Sequence, residues 1–152
     1  MIRLNKPSTW NDSMLVTAGQ IFIQLKKDGQ ILQLAPNVRI NIRYIDLPIN
    51  TQMKFFIGEE ANTQRFNWLP TPTPSLDTII MGSQSYELYT KQQRWISIAT
   101  LFDVNFTTPK IKVSADIAPY FTNANTVAFT VFKDVRSVVV MLPDLSSRTF
   151  TT

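Results

Sequence analysis

The sequence predicts an all-β protein, in particular an antiparallel β-sandwich of about ten short strands. Short apolar segments alternate with polar residues, turn residues recur about every 8–12 residues, and no segment shows a convincing helical stripe. The clearest alternation lies in residues 38–44, where apolar side chains alternate with Arg39, Asn41 and Arg43. Successive strand side chains point to opposite faces, so this segment predicts a central strand with one apolar and one cationic face.

The composition bounds the class of protein. The chain has 152 residues, of which 44% are apolar and 17% are charged, as expected of one globular domain. It has no cysteine and no histidine, which excludes disulfides, thiolate nucleophiles, zinc-thiolate sites and an imidazole base. We expect a single β-sandwich domain over residues 1–152, in which residues 1–13 form an arm or an edge strand.

The start of the chain carries no secretory signal, and no apolar run approaches the roughly 18 residues of a membrane span. Either the protein is cytoplasmic, or the chain is a domain excised from a longer protein whose export signal lies elsewhere. Met1 is followed directly by residues typical of the interior of a longer chain. This favours the excised domain, and with it an extracellular or cell-surface location.

The net charge is +4, and the excess lies in the first third of the chain. Residues 1–54 contain seven Lys and Arg against three Asp and Glu, whereas residues 55–152 contain eight of each. The excess fits an ordinary solvated strand face with one lysine-bearing turn, and it also fits a patch for an anionic polymer. A nucleic-acid partner is less favoured because the excess is modest.

Alternation and turn residues predict where the strands lie. Residues 19–25, 30–34 and 38–44 form a predicted three-stranded meander, since Asp28-Gly29 supplies two residues that accept positive φ. Three prolines in residues 70–74 predict an extended segment, which is either a crossing between sheets, the favoured interpretation, or a domain boundary. Further strands are predicted at residues 53–57, 66–69, 86–89, 95–102, 111–117, 127–132 and 137–142. Of these, residues 95–102 should be buried on both faces, residues 111–117 half-exposed, and residues 137–142 an interior strand.

Six segments carry a resemblance to a known family. They are G-Q-I-F-I-Q-L (19–25), V-R-I-N-I-R-Y (38–44), M-K-F-F-I-G-E-E (53–60), F-N-W-L-P (66–70), R-W-I-S-I-A-T-L-F-D (94–103) and F-T-N-A-N-T-V-A-F-T-V-F-K-D (121–134). Their order resembles a β-sandwich module of large surface lipoproteins in gut and environmental Bacteroidetes, itself similar to the ZU5 domain. Trp95, Ile96 and Asp103 lie where that module often carries Trp-Ile-Asn-Cys-Asp, and the cysteine is replaced here.

The resemblance covers residues 18–142. It implies an immunoglobulin-like or ZU5-like sandwich in a secreted, non-catalytic module of unknown role, sometimes beside peptidase-associated or carbohydrate-related domains. Because the cysteine is replaced, no role attached to it carries over to this chain.

No residue is predicted to be catalytic or to bind a metal or cofactor. A serine nucleophile would need a base other than histidine, and Ser97 lies in the middle of a predicted strand. Glu59 and Glu60 are adjacent, so on a strand they face opposite ways and cannot share a substrate. The remaining acidic candidates are scattered and are expected to be solvated or to cap turns: Asp77, Glu87 and Asp103.

Aromatic side chains are candidates for ligand contact because they stack on sugar rings or bases. Trp68 and Trp95 lie within apolar runs and are expected in the core. Trp10 and Tyr86 have polar neighbours and are the better candidates, with Tyr89 considered beside them. The identity of a ligand is unknown from the sequence.

Three functions remain open. The leading hypothesis is a non-enzymatic structural or recognition module of an exported cell-surface protein, whose partner is a protein or glycan at the cell surface. The second is a viral or phage structural β-domain. The third is a carbohydrate- or nucleic-acid-binding module that uses Arg39 and Arg43 with nearby aromatic residues.

Overall fold

The computed structural model describes residues 6–46, 48–60, 66–71, 77–102, 110–114, 116, 118, 120–122, 125–132, 134, 136–144 and 149–151. Within these residues every regular element is a strand and every strand pairing is antiparallel, which confirms the all-β prediction. The strands are β1 (Thr9–Trp10), β2 (Ser13–Phe22), β3 (Lys26–Lys27), β4 (Gln30–Ile31), β5 (Ile40–Ile45), β6 (Lys54–Glu60), β7 (Phe66–Pro70), β8 (Thr78–Met81), β9 (Ser85–Thr90), β10 (Trp95–Leu101), β11 (Lys112–Ser114), β12 (Phe129–Phe132), β13 (Ser137–Val140), β14 (Leu142–Asp144) and β15 (Thr149–Thr151).

The largest sheet has five strands in the order β1–β2–β10–β6–β7. β10 lies at its centre, where four consecutive residues from Ile96 to Ala99 are buried. Side chains of consecutive residues point to opposite faces, so burial of all four requires cover on both faces. The prediction of burial on both faces is therefore confirmed for Ile96–Ala99, and it is wrong for the end of the run, where Leu101 is exposed.

The second sheet has three strands in the order β5–β9–β8. β5 lies at an edge and pairs with β9, so the prediction of a central strand at residues 38–44 is wrong. The alternation itself is confirmed, because exposed and half-buried residues alternate along Ile40–Ile45. Alternation fixes the face to which each side chain points, but it does not say how many neighbouring strands there are.

The predicted turn at Asp28 and Gly29 is confirmed. Both residues have positive φ, 51° and 80°, and they join β3 to β4 as a short hairpin. Gln93 holds the base of this hairpin, because its Oε1 accepts from the Leu25 amide at 2.9 Å and its Nε2 donates to the Leu32 carbonyl at 2.7 Å. The predicted meander is wrong, since β2, the β3–β4 hairpin and β5 lie in three different sheets.

One apolar cluster draws on both of the larger sheets. Ile42 and Tyr44 of β5 and Ile79 of β8 pack against its buried members. Its buried members belong to β2, β6 with the residue before it, β9 and β10: Ala18, Met53, Phe55, Ile57, Tyr86, Leu88, Ile96 and Ile98.

The proline-rich segment of residues 70–74 is confirmed as a crossing between these two sheets, because β7 belongs to one sheet and β8 to the other. Residues 72–76 lie outside the described residues.

A second apolar cluster contains Phe56 of β6. The residues before and after it, Phe55 and Ile57, point to the opposite face of the sheet and belong to the first cluster. Its members are Leu15, Phe56, Phe66, Trp68 and Ala99, with Trp10 and Trp95 packed against them. The two edge strands of the five-stranded sheet, β1 and β7, lie next to each other beside this cluster. Asn11 and Asn67 join them, because the Asn11 amide donates to Asn67 Oδ1 at 3.1 Å and Asn67 Nδ2 donates to Asn11 Oδ1 at 3.2 Å.

The C-terminal strands form two small sheets, β11–β15–β14 and β12–β13. Among the residues that the structure describes, β13 has β12 as its only paired neighbour, so the prediction of an interior strand at residues 137–142 is wrong. The chain leaves that sheet after Val140 and enters the other at Leu142. β11 is exposed along its length, which contradicts the half-exposed alternation predicted for residues 111–117; positions 115 and 117 lie outside the described residues.

Candidate ligand-binding face

The three-stranded sheet presents a polar face on the side away from the core. Its register places Ile42, Leu88 and Ile79 in one row, and these residues pack in the apolar cluster to which both larger sheets contribute. Directly opposed residues of an antiparallel pair share a face, and the next residue along each strand points the other way. The adjacent rows therefore form the outer face, which consists of Asn41, Tyr89 and Thr78 in one row and Arg43, Glu87 and Ile80 in the next.

Two hydrogen bonds fix side chains on the outer face. The Tyr89 hydroxyl donates to Glu87 Oε2 at 3.2 Å, which couples the aromatic ring to the carboxylate two residues earlier on β9. Arg43 Nε donates to the Oγ of the buried Ser85 at 3.1 Å, which anchors the guanidinium group. Both bonds leave the remaining polar atoms of these side chains free to meet a ligand.

Several polar groups on this face have no protein partner among the described residues. They include the terminal nitrogens of Arg43, the side-chain amide of Asn41 and the hydroxyl of Thr78. All three residues are exposed, while Glu87 and Tyr89 are half-buried. Strands lie about 4.8 Å apart and same-face residues about 7 Å apart along a strand, so the two rows span about 10 Å by 7 Å.

Sequence reasoning identified only part of this face. Arg43 was predicted to lie on a cationic face with Arg39, and Arg39 is exposed just before β5 begins. The sequence does not predict that Glu87 lies near any other candidate residue, yet the register places it directly opposite Arg43. The exposed side of β5 is therefore paired with an acidic neighbour, and it is not a purely cationic surface.

The structure corrects one prediction among the aromatic residues and confirms others. Tyr86 is buried, and its hydroxyl accepts from the Asn50 amide at 2.6 Å and donates to the Asn50 carbonyl at 3.2 Å, so Tyr86 cannot stack on a ligand. Trp10 is half-buried and packs edge-on against Phe56 at 6.0 Å, so its ring is engaged in the second cluster. Trp68 and Trp95 belong to the same cluster, as predicted.

The acidic candidates Glu59, Glu60 and Asp77 are engaged elsewhere. Glu59 pairs with Arg94 at 3.3 Å and Glu60 pairs with Lys6, which confirms that the two carboxylates diverge. Asp77 is buried, so the prediction of a solvated or turn-capping carboxylate is wrong.

Asp77 accepts hydrogen bonds from Thr90 Oγ1 at 2.5 Å, from Gln92 Nε2 at 3.2 Å and from Thr71 Oγ1 at 3.3 Å. These bonds join the residue after β7 to the end of β9. Position 103 lies outside the described residues.

Ser97 is the serine whose position bears on a nucleophilic role. Ser97 donates to the Gly19 carbonyl at 3.1 Å, as an ordinary strand residue would, in agreement with the sequence-based expectation. The described residues contain no group of three or more acidic side chains placed to hold a metal ion. None of the described segments forms a helix of the length and apolarity that crossing a membrane requires.

Comparison with known proteins gives no match: no family model fits the chain, and no curated protein or solved structure is significantly similar to it.

Proposed function

We propose that this protein is a non-enzymatic recognition module of an exported cell-surface protein, and that the outer face of the three-stranded sheet is its recognition surface. The observation that carries the proposal is the set of polar side chains held in register on that face. Arg43 and Tyr89 are each fixed by one hydrogen bond, while Asn41 keeps its side-chain groups free of any partner among the described residues. Preorganised but unsatisfied polar groups on a rigid strand scaffold favour ligand contact.

The proposal includes a β-sandwich of immunoglobulin-like or ZU5-like type. It is supported by the apolar cluster to which both larger sheets contribute, since two sheets that share one core are the basis of a sandwich. Tyr44 of β5 lies against Gly19 of β2, which is a close contact between the two sheets. The C-terminal strands would then extend one end of the sandwich.

Export and surface location rest on the resemblance of residues 18–142 to modules of Bacteroidetes surface lipoproteins. The segments that carry this resemblance are packing segments, and the structure uses them in that way. Residues 53–60 and 94–101 supply β6 and β10 of the five-stranded sheet, while residues 40–44 lie in β5. The partner is accordingly a protein or glycan outside the cell.

The alternative of a viral or phage structural β-domain has one observation in its favour. The small C-terminal sheets expose large apolar side chains, of which Val113, Val131 and Leu142 have 41%, 56% and 58% of their surface accessible. Neighbouring subunits in a particle would cover such side chains.

A paired experiment tests the proposed function. An epitope-tagged protein expressed in its native host should be labelled by antibody on intact cells and removed by external protease, while purified protein should elute at a monomeric size. Labelling that requires cell permeabilisation would contradict surface location. Elution as large particles would favour the viral alternative.

A further inference from the structure

We infer that the outer face binds a neutral oligosaccharide. This inference rests on the proposed recognition function and adds the chemical class of the ligand. The argument uses the kinds of polar group on the face, the placement of its one aromatic ring and the balance of its charges.

The polar groups on the outer face match the hydrogen-bonding capacity of sugar hydroxyls. A hydroxyl both donates and accepts, so it is well bound where donors and acceptors stand side by side. Arg43 offers guanidinium donors, Glu87 offers carboxylate acceptors, and these two residues are directly opposed across β5 and β9. The side-chain amide of Asn41, in the adjacent row, can both donate and accept hydrogen bonds.

Tyr89 supplies the apolar platform that sugar recognition needs. It lies on β9, the middle strand of the sheet, so polar side chains of β5 and β8 flank it on both sides. Its hydroxyl is bonded to Glu87, which restricts the ring while leaving it half-exposed. Ile80, 51% exposed on the neighbouring row, extends the apolar surface. A sugar ring has an apolar face of hydrogens on carbon that packs on such a surface.

The charge balance argues for a neutral rather than an anionic ligand. Within the two rows Arg43 is the only cation and Glu87 lies directly opposite it, so the rows themselves carry no net charge; Arg39, exposed just before β5 begins, lies outside them. A phosphate- or sulfate-bearing polymer laid along the face would meet the carboxylate as well as the guanidinium group, and like-charge contact is unfavourable. The two groups offset each other in net charge while both remain available as hydrogen-bonding partners for hydroxyls.

The dimensions agree with a short oligosaccharide. The two rows span about 10 Å by 7 Å, and the surface between them is flat because it is the face of a sheet. A flat face of this size accommodates one or two sugar rings and leaves the rest of a chain in solvent. Polysaccharide chains and glycan branches can therefore bind without entering a closed cavity.

The test begins with the full chain on an array of neutral and acidic glycans, followed by NMR titration with the best neutral oligosaccharide. Three variants probe the face: Tyr89→Ala, Glu87→Gln and Asn41→Ala. Ser83→Ala, in the exposed turn between β8 and β9, is the matched control. We expect at least a tenfold loss of affinity for Tyr89→Ala and Glu87→Gln, a smaller loss for Asn41→Ala, and no change for the control. Glu87→Gln and Asn41→Ala keep the test decisive if Tyr89→Ala fails to fold.

Binding of a neutral glycan should change less than twofold between 50 mM and 500 mM salt, because no counterions are released. Three results would overturn the inference: no neutral glycan above background, binding that the face variants leave intact, or binding to acidic polymers alone that falls steeply with salt. Failure of glycan binding while intact cells are still labelled would refute this inference and leave the proposed surface module standing. Failure of surface labelling would refute the proposed function instead.

Discussion

The ring of Tyr44 on β5 lies directly against Gly19 on β2. A Cβ atom added at Gly19 would come within 2.4 Å of Tyr44 Cδ1 and 2.5 Å of Cε1, distances that no packed structure tolerates. The glycine is therefore required by space between two sheets. Since the contact joins an edge strand of the smaller sheet to the five-stranded sheet, it helps to fix the position of the strand that carries Asn41 and Arg43.

Replacing Gly19 by alanine should destabilise the protein by about 1–3 kcal/mol, because the new methyl group must displace the Tyr44 ring or separate the strands. The free energy of unfolding in urea measures this cost. A double-mutant cycle supplies the control, since in a Tyr44→Leu background the same substitution should cost clearly less. An equal cost in both backgrounds would show that Tyr44 is not the group that the methyl meets.

The hydroxyl of Tyr44 makes the stability of the protein sensitive to alkaline pH. This hydroxyl is buried with no hydrogen-bond partner among the described residues, and burial raises the pKa of Tyr44 from 10.0 to about 12. Between these values the unfolded chain loses the proton and the folded protein retains it, so stability falls as pH rises from about 10 to 12. The total loss is about 2–3 kcal/mol if the whole shift is realised.

Tyr44→Phe should remove this part of the pH dependence. At pH 7 the variant should be as stable as the parent or slightly more stable, because it removes a buried polar atom that has no partner. Chemical denaturation at several pH values between 8 and 11.5 measures the difference. Tyr89→Phe, whose hydroxyl is on the half-exposed outer face, is the control and should keep the alkaline loss. A Tyr44→Phe variant that loses stability in parallel with the parent would contradict the assignment.

Faces and local turns could be predicted from the sequence, whereas strand partners could not. Alternation in residues 40–45 and the positive-φ pair Asp28-Gly29 are local signals, and both predictions are confirmed. The neighbours of β5 depend on residues 40 to 50 positions away: its partner is β9, and Arg43 opposes Glu87. No local pattern encodes this pairing, which explains the errors of the central strand and the meander.

The candidate face could have been partly recovered by applying the same alternation to residues 85–90. There Tyr86 and Leu88 share one face, while Glu87 and Tyr89 share the other. An apolar leucine two residues from Tyr86 indicates that Tyr86 points into the core, and a glutamate two residues from Tyr89 indicates that Tyr89 points to solvent. Polar neighbours in sequence are a misleading guide on a strand, because adjacent residues lie on opposite faces.

Asp77→Ala should destabilise the protein by about 2–4 kcal/mol, because it leaves the buried hydroxyl of Thr90 and the half-buried amide of Gln92 without their acceptor. Asp77→Asn should cost less, since one oxygen acceptor remains. Thermal or urea unfolding measures both variants. Thr78→Ala, at the adjacent exposed position, is the control and should lie within about 0.5 kcal/mol of the parent. An Asp77→Ala variant as stable as this control would show that the buried carboxylate is not needed.

The bond from Trp68 to the N-terminal arm, residues 6–13, should control the exchange of the arm amides. Trp68 Nε1 donates to the Pro7 carbonyl at 2.8 Å, and the next residue, Ser8, donates its amide to the Val138 carbonyl at 2.6 Å and accepts from the Leu15 amide at 2.8 Å. Trp68→Phe keeps an aromatic ring in the second cluster but removes the one hydrogen bond that this side chain makes to residues 6–13 of the arm, since Phe has no N–H group.

We therefore expect hydrogen exchange at Ser8 and Leu15 to become at least tenfold faster in Trp68→Phe than in the parent. Trp95→Phe is the matched control: Trp95 lies in the same cluster and its described contacts, with Phe22 at 5.4 Å and Phe66 at 6.2 Å, are between rings. Trp68 is fully buried and Trp95 is half-buried, so global unfolding should become easier by a larger amount in Trp68→Phe. Exchange at Ser8 and Leu15 is therefore compared with exchange at the core amides of β10 in the same variant. An acceleration at Ser8 and Leu15 that exceeds the acceleration in β10 would identify the indole bond as the anchor of the arm, because it reports a local opening. Equal acceleration at Ser8 in the two variants would mean that packing alone holds the arm.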